Sequence, residues 1–214
     1  MQGSDERKSV PSSISRRLRV IGIAILIMGS ASCTGQDHWH NTDVTGSLPE
    51  LAFDMVRAGD GKPVTGADYR GKVTLLYFGY TYCPDVCPMT MANAGRVLRA
   101  LGPDANSVRV LFVTVDPDRD RLPVLKQYAR AFAPQVDALR GDPNALAALA
   151  RRYRVAYSVK PAGPDQAYEV THSSGIYAFD RKGMPRLLIS SLSTGNPDVP
   201  GTVQDLRRFV RSDN

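Results

Sequence analysis

Two cysteines separated by three residues directly follow an apolar run, and this arrangement constrains the fold more than any other feature of the chain. Val73–Phe78 is β-branched and aromatic without a charge, which predicts a buried strand. Gly79 ends the run, and Pro88 is suited to the first position of a helix. The sequence therefore predicts a strand, a loop that carries Cys83, and a helix that starts beside Cys87.

The predicted position of Cys87, at or next to the helix N-cap, indicates an activated thiol. Unpaired N–H groups and the helix dipole favour an anion there, so we expect the pKa of this thiol to be lowered. Thiolates at such a site are suited to disulfide exchange or to binding a soft metal. Both kinds of chemistry stay open at this point.

The remaining pattern predicts an α/β fold. A second buried strand is predicted over Val108–Val115, after a helix that ends at Gly102 and Pro103. Turn glycines predict antiparallel hairpins within residues 51–65 and 175–189. A further hairpin is predicted to end at His172, and Asp142 is expected to cap a helix. The predicted order β, α, β, α, α, β, β, α matches a thioredoxin-like central sheet flanked by helices, with insertions.

An acidic loop, D-P-D-R-D, occupies positions 116–120 after the second predicted strand. Asp116 would lie at the carboxyl end of a parallel strand, where functional side chains collect. Asp120 is suited to cap the helix that follows. Asp116 is therefore the better candidate for a residue that faces a site.

Three motifs in order resemble those of the SCO/SenC family of copper-binding, thioredoxin-like assembly factors for cytochrome oxidase. C-P-D-V-C-P stands at 83–88 after Y-F-G-Y-T, D-P-D-R-D at 116–120, and T-H-S around His172. The resemblance covers about Leu51 to Val210. One departure is Thr171, because many members have Asp there, and this weakens any argument for a carboxylate partner to the imidazole.

The resemblance implies a copper site formed by Cys83, Cys87 and His172. Two thiolates and one imidazole suit Cu(I), and Cu(II) is also feasible if an oxygen from Asp or water joins them. Structural Zn²⁺ usually takes four protein ligands, so a set of three argues against zinc. Asp85 and Asp116 are expected near this site as supporting residues that do not bind the metal.

The resemblance further implies a copper chaperone for the CuA centre of cytochrome c oxidase. Its expected partners are the oxidase subunit that carries CuA, other copper carriers and thiol reductases. The alternative is a thiol-disulfide reductase that uses Cys83 and Cys87 as its redox pair, although C-x-x-x-C differs from the C-x-x-C of general oxidoreductases. A copper store or redox sensor would use the same residues. Enzymatic activity is therefore left open, and a metallochaperone is favoured.

Residues 1–33 predict a signal peptide or membrane anchor. A basic stretch precedes the apolar run Val20–Met28, which is short for a membrane span of about 20 residues. Small residues then lead to Cys33, as in a bacterial lipobox, so Cys33 is the expected lipidation site. An uncleaved signal anchor is the alternative. Either arrangement places the domain on the extracytoplasmic, periplasmic side of a membrane of the bacterial cell envelope.

Polar and small residues dominate positions 34–49, which predicts a flexible tether before a domain over 50–214. His38 and His40 lie in this tether, where a short histidine pair is more often a polar tract than a metal site. The formal net charge of +6 is partly due to basic residues before Cys33. No Lys/Arg run interleaved with aromatic residues follows, so the sequence gives little support for nucleic-acid binding.

Overall fold

The computed structural model describes residues 38–160, 162–163 and 168–212 of the 214-residue chain. The predicted signal or anchor at 1–33, with its candidate lipidation site Cys33, lies outside these residues. Within the described part of the chain, no helix combines the length and the apolar character that a membrane crossing requires. The folded unit that carries the candidate site begins at Trp39.

Ten strands and four α-helices are present in the described residues. The strands are β1 (Thr42–Asp43), β2 (Asp54–Arg57), β3 (Pro63–Thr65), β4 (Val73–Gly79), β5 (Val108–Thr114), β6 (Val136–Arg140), β7 (Tyr157–Lys160), β8 (Glu169–His172), β9 (Ile176–Phe179) and β10 (Pro185–Ile189). The α-helices are α1 (Val86–Leu101), α2 (Leu122–Arg130), α3 (Pro143–Arg152) and α4 (Val199–Arg211). Short 3₁₀ segments cover 66–69, 102–107 and 191–193.

A mixed sheet of eight strands forms the centre of the domain, in the order β1-β10-β9-β4-β5-β6-β2-β3. β5 is parallel to both β4 and β6, and the other pairs are antiparallel. Strands β7 and β8 form a separate antiparallel hairpin. This arrangement confirms the predicted α/β class with its N-terminal hairpin, β2–β3, and its inserted hairpin before the histidine.

Strand β4 separates two apolar clusters because successive side chains of a strand point to opposite faces. Leu75 and Tyr77 join the cluster covered by α1, α2 and α4, whereas Leu76 and Phe78 join the cluster covered by α3. All seven residues of β4 are buried. The uncharged run therefore forms a central strand with both faces covered, as predicted.

Three expectations about helix starts can be compared with the structure. Asp142 accepts a hydrogen bond from the Ala145 N–H at 2.8 Å, which confirms it as an N-cap. Helix α1 begins at Val86, two residues earlier than predicted, because proline is tolerated throughout a first turn whose N–H groups have no helical partner. The predicted cap at Asp120 is wrong, since Arg121 occupies that position and Asp120 is buried.

The sequence did not predict strand β6. Its sequence, V-D-A-L-R, is short and includes residues that are depleted in strands, so no period of two was evident. Its pairing with the parallel strand β5 and with β2 makes it a strand in the fold. Tertiary context therefore decides this element rather than local propensity.

Part of the segment predicted as a flexible tether packs on helix α4. The rings of Trp39 and Phe209 lie 5.0 Å apart between centroids. The backbone N–H groups of His40 and Asn41 donate to the buried carboxylate of Asp205 at 3.1 and 3.0 Å. Residues 39–43 therefore belong to the folded domain. The contacts of His40 are made to side chains of α4.

Candidate metal centre

The structure brings together the three side chains that the sequence singled out as ligands. One ligand atom each from Cys83, Cys87 and His172 lies within 4.8 Å of the other two. Cys87 Sγ and His172 Nε2 are 3.2 Å apart, although these residues are 85 positions apart in the chain. Metal–sulfur bonds of about 2.3 Å and metal–nitrogen bonds of about 2.0 Å allow one ion to join such atoms after small shifts of the side chains.

Each ligand comes from a different part of the fold. Cys83 lies in the loop between β4 and α1, Cys87 in the first turn of α1, and His172 at the end of β8. The Cys87 N–H also points to Cys83 Sγ at 3.4 Å. A strand, a helix start and an inserted hairpin therefore converge on one point.

Gly79 at the end of β4 leaves the space that Cys87 occupies. A Cβ atom at this position would lie 3.1 Å from Cys87 Sγ and 2.8 Å from the ring of Phe112. Such distances require a shift of the neighbouring groups, so a glycine allows the buried thiol to approach the strand.

The two thiols have opposite electrostatic environments. Burial raises the pKa of Cys87 to about 12, and its side chain is 0% exposed. The expected lowering of the Cys87 pKa is therefore wrong, because loss of hydration outweighs the helix N-terminus. For Cys83, partial burial raises the pKa, but the backbone N–H groups of Cys87 and Asp85 more than offset it. The pKa of Cys83 therefore lies below its ordinary value.

The imidazole of His172 is held with one nitrogen facing the thiols. Its Nδ1 lies 2.9 Å from the carbonyl oxygen of Ser173. Because a carbonyl only accepts, Nδ1 carries the proton and Nε2 presents a lone pair towards Cys87. Burial lowers the pKa of His172, which favours this neutral form. The rings of Tyr77 and Tyr80 stand edge-on to the imidazole at 6.0 and 5.9 Å.

The two predicted supporting aspartates lie in different environments. Asp85 is exposed and occupies the N-cap position of α1 beside Cys83. Asp116 is buried, pairs with Arg119 and accepts a hydrogen bond from the Tyr168 hydroxyl at 2.7 Å. The carboxylate of Asp116 is thus directed towards the hairpin that carries the histidine.

Asp120 has a structural role that sequence reasoning missed. Its fully buried carboxylate accepts hydrogen bonds from the backbone N–H of Thr81 at 3.0 Å, from the Thr81 hydroxyl, and from the Thr114 hydroxyl at 2.6 Å. Burial raises the pKa of this carboxyl group, although these hydrogen bonds oppose the shift. Because Thr81 precedes Cys83 by two residues, Asp120 fixes the start of the cysteine loop. The only sequence signal for this structural role was the position of Asp120 in the D-P-D-R-D loop.

A cleft of about 400 Å³ opens beside the three candidate ligands. Cys83 and His172 line it together with Tyr80, Asp85 and Ser193. Cys83 and His172 are partly exposed, whereas Cys87 is not. An approaching molecule would therefore meet Cys83 and His172 before it met Cys87.

The chain is similar to several known proteins. The chain is 37% identical over 158 residues to the mouse protein SCO2 homolog, mitochondrial, which covers 70% of this chain and 61% of that relative. The chain thus spans about three fifths of the length of this curated relative. It is also similar to the structure of Bradyrhizobium japonicum ScoI with copper bound (TM-score 0.65, 36% identity, 75% of this chain and 98% of that one). The crystal structure of yeast Sco1 with copper bound gives a TM-score of 0.66 at 31% identity, over 78% of this chain and 91% of that one.

A family model also matches most of the sequence. The model described as SCO1/SenC matches residues 48–208, which include all three candidate ligands and the D-P-D-R-D loop. The structural neighbours confirm the thioredoxin-like fold. Because the match extends over most of the sequence, this chain belongs to the SCO1/SenC family.

Proposed function

We propose that this chain is a membrane-tethered copper chaperone for maturation of the CuA centre of cytochrome c oxidase. The observation that carries the proposal is the convergence of two cysteine sulfurs and one histidine nitrogen within 4.8 Å. Two soft sulfur ligands and one imidazole suit Cu(I), and an added oxygen ligand would accommodate Cu(II). The copper-bound structures of two relatives support copper as the cargo.

The exposure of the ligands supports transfer rather than permanent storage. A permanent structural metal is usually enclosed by four protein ligands, whereas this site offers three and borders an open cleft. A ligand from a partner protein can enter through this cleft and displace Cys83 or His172 first. The family membership supports the CuA-bearing oxidase subunit as the recipient, and a copper carrier or thiol reductase as the partner that prepares the site.

Thiol-disulfide exchange is the second candidate function. Its support is the difference between a partly exposed Cys83 with a lowered pKa and a buried Cys87. An exchange reaction needs one accessible thiolate to attack a disulfide and a second thiol to resolve the mixed disulfide. This alternative uses the same pair, but it gives His172 no direct role.

Copper binding is expected to depend on the redox state of Cys83 and Cys87. The reduced protein should bind one copper ion tightly, and the protein with a Cys83–Cys87 disulfide should bind none, because both sulfurs are then consumed. Copper titration of both forms and thiol-reductase turnover should be measured side by side. Tight binding of one copper by the fully oxidised protein would direct attention to His38 and His40 instead. Fast reductase turnover without copper binding would favour the exchange enzyme.

Membrane attachment is expected to depend on Cys33. The parent protein should fractionate with membranes and expose its domain outside the cytoplasm, and Cys33→Ala should release it or block its processing. Membrane fractionation with protease accessibility measures both properties, and Cys83→Ala serves as a control for the loss of a cysteine. Unchanged attachment with a normally cleaved N-terminus would show that lipidation is not the anchor.

A further inference from the structure

The hairpin β7–β8, which carries His172, has few backbone connections to the rest of the domain. In the described residues its two strands pair with each other and belong to a separate sheet. The bond from the Ser173 N–H to the Ala156 carbonyl, at 2.9 Å, continues the ladder between the two strands of the hairpin and does not join the hairpin to the central sheet. Tyr157 and Val170 pack against the apolar cluster that α3 covers. The direction of β8 therefore depends on side-chain contacts along the strand.

Tyr168, at the other end of β8, supplies such a contact. Its hydroxyl donates to Asp116 Oδ1 at 2.7 Å. Its ring packs against the guanidinium of Arg119, with the Arg119 Cζ 3.7 Å from the ring centroid. The other carboxylate oxygen of Asp116 pairs with Arg119, so the three side chains form a closed cluster. We call Asp116, Arg119 and Tyr168 the clasp.

Arg119 also faces the loop that carries Cys83. Its guanidinium lies 4.9 Å from the ring centroid of Tyr82 and 5.9 Å from that of Tyr80. Tyr82 directly precedes Cys83 in the sequence. One guanidinium therefore contacts both segments that must come together to bind a metal.

We propose that Arg119, oriented by Asp116, is a positioning residue that holds the His172 hairpin and the Cys83 loop at the separation one copper ion requires. This inference rests on the proposed copper binding by Cys83, Cys87 and His172. A planar guanidinium can pair with a carboxylate and stack on aromatic rings at once, which an ammonium group cannot do in the same way. Arg119 supports the site without contacting the metal.

The first test compares copper affinity in matched variants. Arg119→Ala is expected to lower the affinity by about 10- to 100-fold, the usual effect of losing a group that orients a metal ligand. Arg119→Lys should restore only part of it, and Tyr168→Phe, which removes only the hydroxyl, should have a smaller effect in the same direction. Arg121→Ala, at an exposed arginine next to the same loop, should bind copper like the parent. Equal affinity in Arg119→Ala and Arg121→Ala would overturn the proposal.

The second test asks whether the clasp acts through His172. X-ray absorption at the copper edge should show a weakened nitrogen contribution in Arg119→Ala and an unchanged one in Arg121→Ala. In the His172→Ala background, Tyr168→Phe should cause no further loss of affinity, because contributions that act through one ligand are not additive. A full additive loss would show that Tyr168 acts independently of the histidine.

The third test uses the copper-free protein and separates this inference from the proposed function. Amide hydrogen exchange over residues 169–172 should be faster in Arg119→Ala than in the parent and in Arg121→Ala, because the hairpin loses one of its side-chain attachments to the domain. Unchanged amide hydrogen exchange in Arg119→Ala would overturn the proposed role of the clasp, even if copper binds as proposed. A parent protein that binds no copper would instead overturn the proposed function, and the exchange result would still decide whether Arg119 holds the hairpin.

Discussion

His172→Ala is expected to lower copper affinity by more than about 100-fold while leaving a reducible pair of thiols. Removal of a group that only orients a ligand typically costs 10- to 100-fold in metal affinity, so removal of the ligand itself should cost more. The lost group is the Nε2 atom 3.2 Å from Cys87 Sγ. Isothermal titration or competition with a Cu(I) chelator measures the copper affinity. Counting free thiols after reduction shows whether Cys83 and Cys87 are still a reducible pair.

This variant separates the two candidate functions. A chaperone needs all three ligands, so Cys83→Ala, Cys87→Ala and His172→Ala should each lose copper binding and oxidase assembly, with losses that are strongly non-additive in combination. An exchange enzyme needs the thiols and uses the imidazole at most to adjust a pKa. If His172→Ala binds copper like the parent and supports assembly while both cysteine variants fail, the metal site is wrong and thiol exchange is the better account.

His40→Ala provides a matched control for the loss of an imidazole. His40 contacts helix α4, where its Nε2 lies 3.0 Å from Gln204 Oε1, and it is not one of the three clustered ligands. Its substitution should leave copper binding of the reduced protein unchanged. Equal loss in His40→Ala and His172→Ala would indicate a general effect on the fold rather than the removal of a ligand.

The central strand and the cysteine loop could be predicted because their signals are local. An uncharged β-branched run, a glycine and two cysteines at fixed spacing lie within about 15 consecutive residues. His172 had no such signal, since nothing in its own neighbourhood connects it with cysteines 85 positions away. Only the family resemblance associated His172 with the two cysteines, and the structure brings His172 into contact with Cys87.

The errors arose where tertiary packing decides the outcome. The position of Cys87 at a helix start suggested a lowered pKa, but burial of the thiol next to Gly79, at the end of β4, raises the pKa instead. Asp120 has the sequence context of a helix cap, yet its hydrogen bonds go to Thr81 and Thr114 on other elements. The burial of Cys87 and Asp120 depends on which helices and strands pack together. The residues that neighbour them in the sequence do not indicate that packing.

Alkylation of the reduced, copper-free protein is expected to modify Cys83 much faster than Cys87 at neutral pH. The thiolate is the reacting form, and a free cysteine has a pKa of about 8.5. The pKa of Cys83 lies below its ordinary value, whereas burial raises that of Cys87 to about 12. Cys83 therefore has the larger thiolate fraction at neutral pH, and the complete burial of Cys87 slows its reaction further.

Iodoacetamide labelling followed by peptide mass spectrometry measures both rates, and the same labelling in denaturant should make them nearly equal. Comparable rates in the folded protein would contradict the buried, protonated state of Cys87.

The protonated state of Cys87 affects copper loading, because a metal-bound cysteine must be a thiolate. Copper that enters from the cleft would meet Cys83 and His172 first, and completing the site would then release the proton of Cys87. Copper loading at neutral pH should therefore release about one proton from Cys87 per ion, and Cys87→Ser should reduce this release together with the affinity.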